Sequence, residues 1–162
     1  MWGSSDVLMP LTPPHSAERT RQELLQLLVR VQQSSGKTGA LAEGLAKNLR
    51  AHMEKEETLA MPLLGLLPDL VSKKPSHATA TRASRLYSKM LKEYPGMLHG
   101  HREIIKTLDR FKKIAGEEGH LTAVRFAETL ERHSKEEEEI LYPAALLAGR
   151  VASGNRSNKK HD

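Results

Sequence analysis

The stretch His52-Met53-Glu54-Lys55-Glu56-Glu57, followed by Pro62, decides how this chain reads. It returns as His133-Ser134-Lys135-Glu136-Glu137-Glu138, followed by Pro143. Both copies follow the pattern H-x-x-x-E-E-x-x-x-x-P, and each sits late in a run of residues with helical periodicity. In the first run the apolar seam Leu45, Leu49 continues into His52 and Glu56. In the second, Phe126 and Leu130 continue into His133 and Glu137, then Leu141. The steps are threes and fours, so each His and Glu extends the stripe that faces a core. Residues four apart share one face of a helix. Two imidazoles and two carboxylates therefore point into an apolar interior. Burying unpaired carboxylates is costly, and facing like charges raise one another's pKa. A cation between them removes both penalties.

The rest of the chain supplies two more helices. Loops fall at Ser34-Ser35-Gly36-Lys37-Thr38-Gly39, at Ser72-Lys73-Lys74-Pro75-Ser76 and at Gly116-Glu117-Glu118-Gly119. The first helix spans about residues 13 to 33, with Thr12 as its cap and Pro13 at its first position. The second spans about 39 to 70 and the fourth about 121 to 147. The third region carries Tyr87, Met90, Leu91, Tyr94, Leu98, Ile105 and Leu108. Pro95-Gly96 is expected to kink or break it, which would set residues 77 to 94 apart as a lid-like segment. Short loops between four helices predict an all-α, up-down-up-down four-helix bundle over residues 12–151, with an extra helical segment or kinked extension before the third helix. An N-terminal tail (1–11) and a basic, disordered tail (152–162) flank it. Ser35-Gly36-Lys37-Thr38 imitates the end of a phosphate-binding loop, but Val31 stands where that motif needs glycine and no strand precedes it.

The 162 residues are 38% hydrophobic, 28% charged and only 4% aromatic, which suits a helical globular domain better than a β-sandwich. The chain has no Cys. Disulfides, thiolate metal sites and a Cys nucleophile are thereby excluded, and any metal must be held by His and carboxylates. The net charge of +5 is concentrated near the C-terminus, at Arg150, Arg156, Lys159 and Lys160. No aromatics are interleaved there for base stacking, so nucleic acid is not the expected partner. The apolar stretch from Leu59 to Val71 is interrupted by Pro62, Pro68 and Asp69, too broken to span a bilayer. With no signal peptide evident, a cytoplasmic protein is expected.

The third helix places His101 on its seam with Tyr94, Leu98, Ile105 and Leu108, while His99 lies off that face. The first helix offers only His15, in poor phase with Leu24 and Leu28. The candidate ligand set is His15, His52, Glu56, His101, His133 and Glu137, with Glu138 and His99 as alternatives to Glu137 and His101. A five-residue step turns about 140° off the seam, which favours Glu137 over Glu138. Six such residues can hold two cations, the carboxylates bridging and the imidazoles capping. Nitrogen and oxygen donors suit iron, manganese or zinc. Glu57 reads as a solvent residue, and Tyr94 and Tyr142 as packing residues near the seam. Ferritin-like bundles need Glu-x-x-His on two helices. The only such spacing is Glu117 to His120, in a turn.

These motifs resemble the hemerythrin-like family, or HHE cation-binding domain: a His on helix one (His15), H-x-x-x-E on helix two (His52, Glu56), a His on helix three (His101) and H-x-x-x-E on helix four (His133, Glu137). The resemblance covers about residues 12 to 151. It implies a non-haem centre of two iron ions, oxo- or hydroxo-bridged, with O2, peroxide or nitric oxide as the small ligand. Oxygen carriers of the family have H-x-x-x-H on helix three, whereas here Ile105 follows His101 and Met97 precedes it. The departure points away from reversible O2 carriage. It points towards Fe(II) oxidation, peroxide consumption or a role in oxidative stress, or towards an iron or oxygen sensor or metal store that acts through a protein partner.

Overall fold

The computed structural model describes residues 11–72 and 74–154. The described residues form helices and connecting loops, with no strand among them. Helix α1 is His15–Gln32, α2 is Gly36–Leu64, α3 is the short Leu67–Ser72 and α4 is His77–Glu117. The last rod is continuous: α5 (Leu121–Glu136), one wide π-helical turn (Glu137–Leu141) and α6 (Tyr142–Gly154). Helix α2 packs on α1, α4 and α6, and α5 packs on α1 and α4. The arrangement is an all-helical bundle. Among the described residues no helix is long and apolar enough to cross a membrane.

Two apolar cores fill the bundle. The first contains Leu24, Leu28 and Val31 of α1, Leu45 and Leu49 of α2, Ile104, Leu108 and Phe111 of α4, and Phe126 and Leu130 of α5. The second contains Met61, Leu63 and Leu64 of α2, Met90 and Met97 of α4, and Tyr142, Ala145 and Ala148 of α6. Each of the long rods α2, α4 and α5–α6 passes from one core to the other. Helices α2 and α5–α6 run from the first to the second, and α4 runs the opposite way. Between the two cores every rod contributes polar residues at the same level. A buried Leu contributes about 1.5–3 kcal/mol, so the two cores together can carry the cost of this polar layer.

Several boundaries differ from the sequence expectation. Helix α1 starts at His15 with Pro14 as its cap residue, and not after Thr12. A residue that precedes proline is pushed out of the helical region, which removes both Thr12 and Pro13 from the helix. Helix α2 starts earlier than expected, at Gly36, because a distant carboxylate caps it. Glu118 accepts hydrogen bonds from the backbone N–H of Lys37 and of Thr38, each at 2.9 Å, and from the Thr38 hydroxyl at 2.6 Å. The loop that imitates a phosphate site thus holds an anion of the same chain at a helix N-terminus. Gly36 has φ +72°, and a Cβ there would lie 2.6 Å from the Glu118 carboxylate. Only glycine fits.

The expected break at Pro95-Gly96 does not occur, for α4 runs unbroken through it. The carbonyl deprived of a donor by Pro95 belongs to Leu91, which is exposed and can turn to water. Met90 and Met97 on either side are buried in the same core and hold the helix on course. The seam of α4 is Met97, His101, Ile104, Leu108 and Phe111, with Ile104 replacing Ile105 at the buried position. Residues 77–94, expected as a separate segment, are the first part of α4, and the short α3, at the end of the span expected for the second helix, follows a break at Gly65. A Cβ on Gly65 would meet the Thr12 carbonyl oxygen at 2.2 Å, so the incoming chain crosses directly over this glycine. Leu11 is buried in the second core, and α6 extends to Gly154 with Ala152 buried. The helical domain therefore takes in residues assigned to both expected tails. Residues 1–10 and the basic positions Arg156, Lys159 and Lys160 lie outside the described residues.

Candidate metal centre

The layer between the cores is built from the two repeats and α4. Helix α2 brings His52 and Glu56, α4 brings His101, α5 brings His133, and the π turn brings Glu137. All five are buried, with Glu56 and His101 fully so. His52, Glu56, His101 and Glu137 each offer one ligand atom, and the four atoms lie within 4.8 Å of one another. Such a cluster can hold a metal ion. Glu56 Oε1 is 3.0 Å from His52 Nε2, and Glu137 Oε2 is 3.1 Å from His101 Nε2. The His52 and His101 rings are 4.4 Å apart, tilted at 55°. Of the sequence candidates, then, four form the cluster and His133 adjoins it.

His133 Nε2 is 2.7 Å from Glu137 Oε1, yet both atoms are buried without a properly aligned hydrogen-bond partner. Unsatisfied buried donors and acceptors are rare and call for an explanation. A lone pair on nitrogen and one on a carboxylate oxygen, brought together without hydrogen-bond alignment, is the donor arrangement that a cation requires.

His15 corrects the sequence reading. It is exposed at the first residue of α1, beside Ser16, Glu18, Arg19 and Gln22 at the surface. At the level of the layer, α1 instead presents Arg21, which is buried. Six residues separate the two, about 9 Å along the axis and well off phase. The Arg21 guanidinium lies 3.4 Å from Glu56 Oε2 and donates at 2.7 Å to the Met53 carbonyl. Arg21 lies outside the His–Glu pattern of the repeats. The phase of Leu24, Leu28 and Val31, carried back through Arg21, is the signal that could have found it. His99 is exposed and takes no part.

Two further groups join the layer. Tyr142 is fully buried and its hydroxyl donates a short hydrogen bond to Glu56. The same oxygen is 3.1 Å from both His52 Nε2 and His101 Nε2, and its ring stacks on His101 at 5.4 Å. It is a polar member of the site, where packing alone was expected. Tyr94 is half-buried and meets the Tyr142 ring edge-on at 6.1 Å. Glu138 Oε1 is 2.9 Å from His101 Nδ1. A regular α-helix would turn Glu138 away, but the backbone N–H of Tyr142 bonds to the Glu137 carbonyl five residues back. This wider turn lets consecutive carboxylates reach the layer. Pro143 lacks the N–H that would bond to the Glu139 carbonyl, which favours the altered register. The first repeat, with Pro62, keeps α-helical geometry and leaves Glu57 exposed.

The electrostatics follow from this geometry. Burial alone would lower the His101 pKa, but Glu137, Glu56 and Glu138 raise it to about 10. The ring can donate from both nitrogens, to Glu137 on one side and Glu138 on the other. Burial pushes the Glu56 carboxyl up, yet hydrogen bonds from His101, His52 and Tyr142 prevail and hold it well below the usual carboxylate range. Burial and the charges of Glu56 and Glu137 push Tyr142 far above the usual phenol value, so it stays protonated. Without a metal, the Arg21 guanidinium lies against Glu56, and His101 lies between Glu137 and Glu138.

A groove of about 420 Å3 between α2 and α4 leads from the surface to His52, lined by Asn48, Ala51, Met97, Gly100 and Ile104 among others. Gly100 keeps its floor low, since a Cβ there would lie 3.2 Å from His52 Nδ1. Comparison with protein families, curated proteins and solved structures finds no match to this chain.

Proposed function

We propose that this chain is a hemerythrin-like, up-down-up-down bundle whose buried histidine–carboxylate layer holds iron and reacts with O2, peroxide or nitric oxide. One observation carries the reading: four buried ligand atoms on α2, α4 and the π turn, within 4.8 Å of one another, between two apolar cores. Core residues that run in opposite order along α2 and α4 support the alternating topology. The mixed nitrogen and oxygen donors suit iron, with manganese or zinc as competitors. The unaligned pair His133–Glu137 fits a cation better than a hydrogen-bonded network.

A bound redox metal would supply electrons and an open coordination position for a small ligand. The protein's own groups then have distinct parts. Glu56 and Glu137 provide charge, and His52, His101 and His133 provide nitrogen donors. Glu138 orients His101 from its far nitrogen, as outer carboxylates do for metal-bound imidazoles. The Tyr142 hydroxyl donates its one hydrogen to Glu56 and so orients that carboxylate inside the layer. The groove to His52 admits molecules of the size of O2 or peroxide, and the apolar cores exclude bulk water. Metal analysis of the purified protein, with its visible spectrum, tests the proposal. An iron content near zero after growth with added iron, with no uptake of Fe(II) by the stripped protein, would overturn it.

A further inference from the structure

The resemblance implies two ions, and the residues in the layer do not fit two. Three observations bear on the second. The imidazole expected from α1 is absent from the layer, because His15 is exposed at the helix start. At that level α1 inserts Arg21, whose side chain is buried and whose Nη1 lies 3.4 Å from Glu56 Oε2. Its Nη2 is tied down by the Met53 carbonyl at 2.7 Å, so the guanidinium is held in place by α2 and is no swinging surface group. Glu56 thus has one oxygen turned to His52 and Tyr142 and the other to a fixed cation.

On the reading that this layer is a metal centre, we propose that it binds a single divalent cation and that the Arg21 guanidinium takes the place of a second. The charge balance points the same way. One divalent ion together with Arg21 neutralises Glu56, Glu137 and Glu138. A second divalent ion would need added anions, such as hydroxide or oxide, to compensate two further positive charges between two apolar cores, whereas one ion with Arg21 needs none. The guanidinium fills the space beside Glu56 Oε2 and is anchored there by the Met53 carbonyl. The single ion would sit among His52, His101, Glu137 and the remaining oxygen of Glu56, with His133 adjoining. The carboxylate of Glu56 would be a terminal ligand and not a bridge.

Stripped protein titrated with Mn(II) and with Zn(II) tests this by metal analysis and calorimetry. The wild-type chain is expected to take one ion, and its Mn(II) form to show the spin-resonance spectrum of an isolated ion. Arg21→Met, which keeps the apolar stem and removes the charge, is expected to take a second ion at least tenfold more tightly than the wild type does. Arg19→Met, at an exposed position of the same helix, should behave as wild type. Two ions in the wild type, or a magnetically coupled Mn(II) pair, would overturn the inference and leave the metal-centre reading intact. One ion in a folded Arg21→Met would remove the role given to Arg21. If Arg21→Met does not fold, the wild-type stoichiometry and spectrum still decide the matter. No ion in the wild type would remove the metal centre itself, and this inference with it.

Discussion

Glu56 and Glu57 are adjacent carboxylates with opposite fates, and exchanging each for glutamine separates a buried charge network from a solvated helix face. Glu56 is fully buried against His52, Tyr142 and Arg21, whereas Glu57 is exposed. Removing one partner of a buried ion pair costs about 3–5 kcal/mol, because the other charge stays behind unpaired. The lower end, about 3 kcal/mol, applies to Glu56→Gln. The amide still accepts from Tyr142, and Arg21 keeps its bond to the Met53 carbonyl. A chain of this length loses about 2–4 °C in Tm per kcal/mol, which predicts a fall of about 6–12 °C. Glu57→Gln should change stability by less than about 0.5 kcal/mol. The assay is thermal and urea unfolding followed by circular dichroism on chelator-treated protein. Metal at a hundred times Kd should then add about 2.7 kcal/mol to the wild type and to Glu57→Gln, and much less to Glu56→Gln. If the two stripped variants unfold within about 0.5 kcal/mol of each other, the buried network as described does not exist.

Other outcomes follow from the same structure. His52→Ala and His133→Ala should each lose half or more of the bound metal, and unchanged metal content in both would remove the site. Gly149→Ala should destabilise by about 1–3 kcal/mol, because a Cβ there would meet Tyr87 Cβ at 2.9 Å and force α6 from α4. Gly44→Ala on α2 meets nothing within 4 Å and should stabilise by about 0.5–1 kcal/mol; matching signs for the two, read by denaturant unfolding, would refute the packing of α6. The Glu118 carboxyl is held down to about 2 by the hydroxyl and N–H of Thr38 and by the N–H of Lys37. Its folded pKa lies below the unfolded value of 4.5, so its contribution is complete above pH 4.5 and fades as the pH falls towards 2. The stability gap between wild type and Glu118→Gln should therefore be constant at neutral pH and close between those limits. A gap that widens on acidification would contradict the cap. Tyr142→Phe should fold and lose the hydroxyl donor to Glu56, with the near-ultraviolet signal of the layer altered; an unchanged spectrum of the metal form would place Tyr142 outside the site.

The inward direction of His52 and Glu56, of His101, and of His133 and Glu137 was legible without coordinates. Each is one or two helical turns from a run of leucines or a phenylalanine, and helical periodicity is a local property that neighbours cannot easily override. The helical class followed in the same way. What helix α1 brings to the layer could not be read locally. His15 and Arg21 are both on that helix, and the choice between them depends on where the axis of α1 stands relative to α2, which is set by the packing of Leu24, Leu28 and Val31 into the first core. The continuity of α4 through Pro95 likewise rests on long-range burial of Met90 and Met97. Two copies of one motif also took different shapes, since only the turn before Pro143 opens to five-residue bonding and brings Glu138 to His101. Local pattern decides which face of a helix is polar. The opposing helices decide what that face meets, because axial offset and backbone register are properties of the assembled bundle.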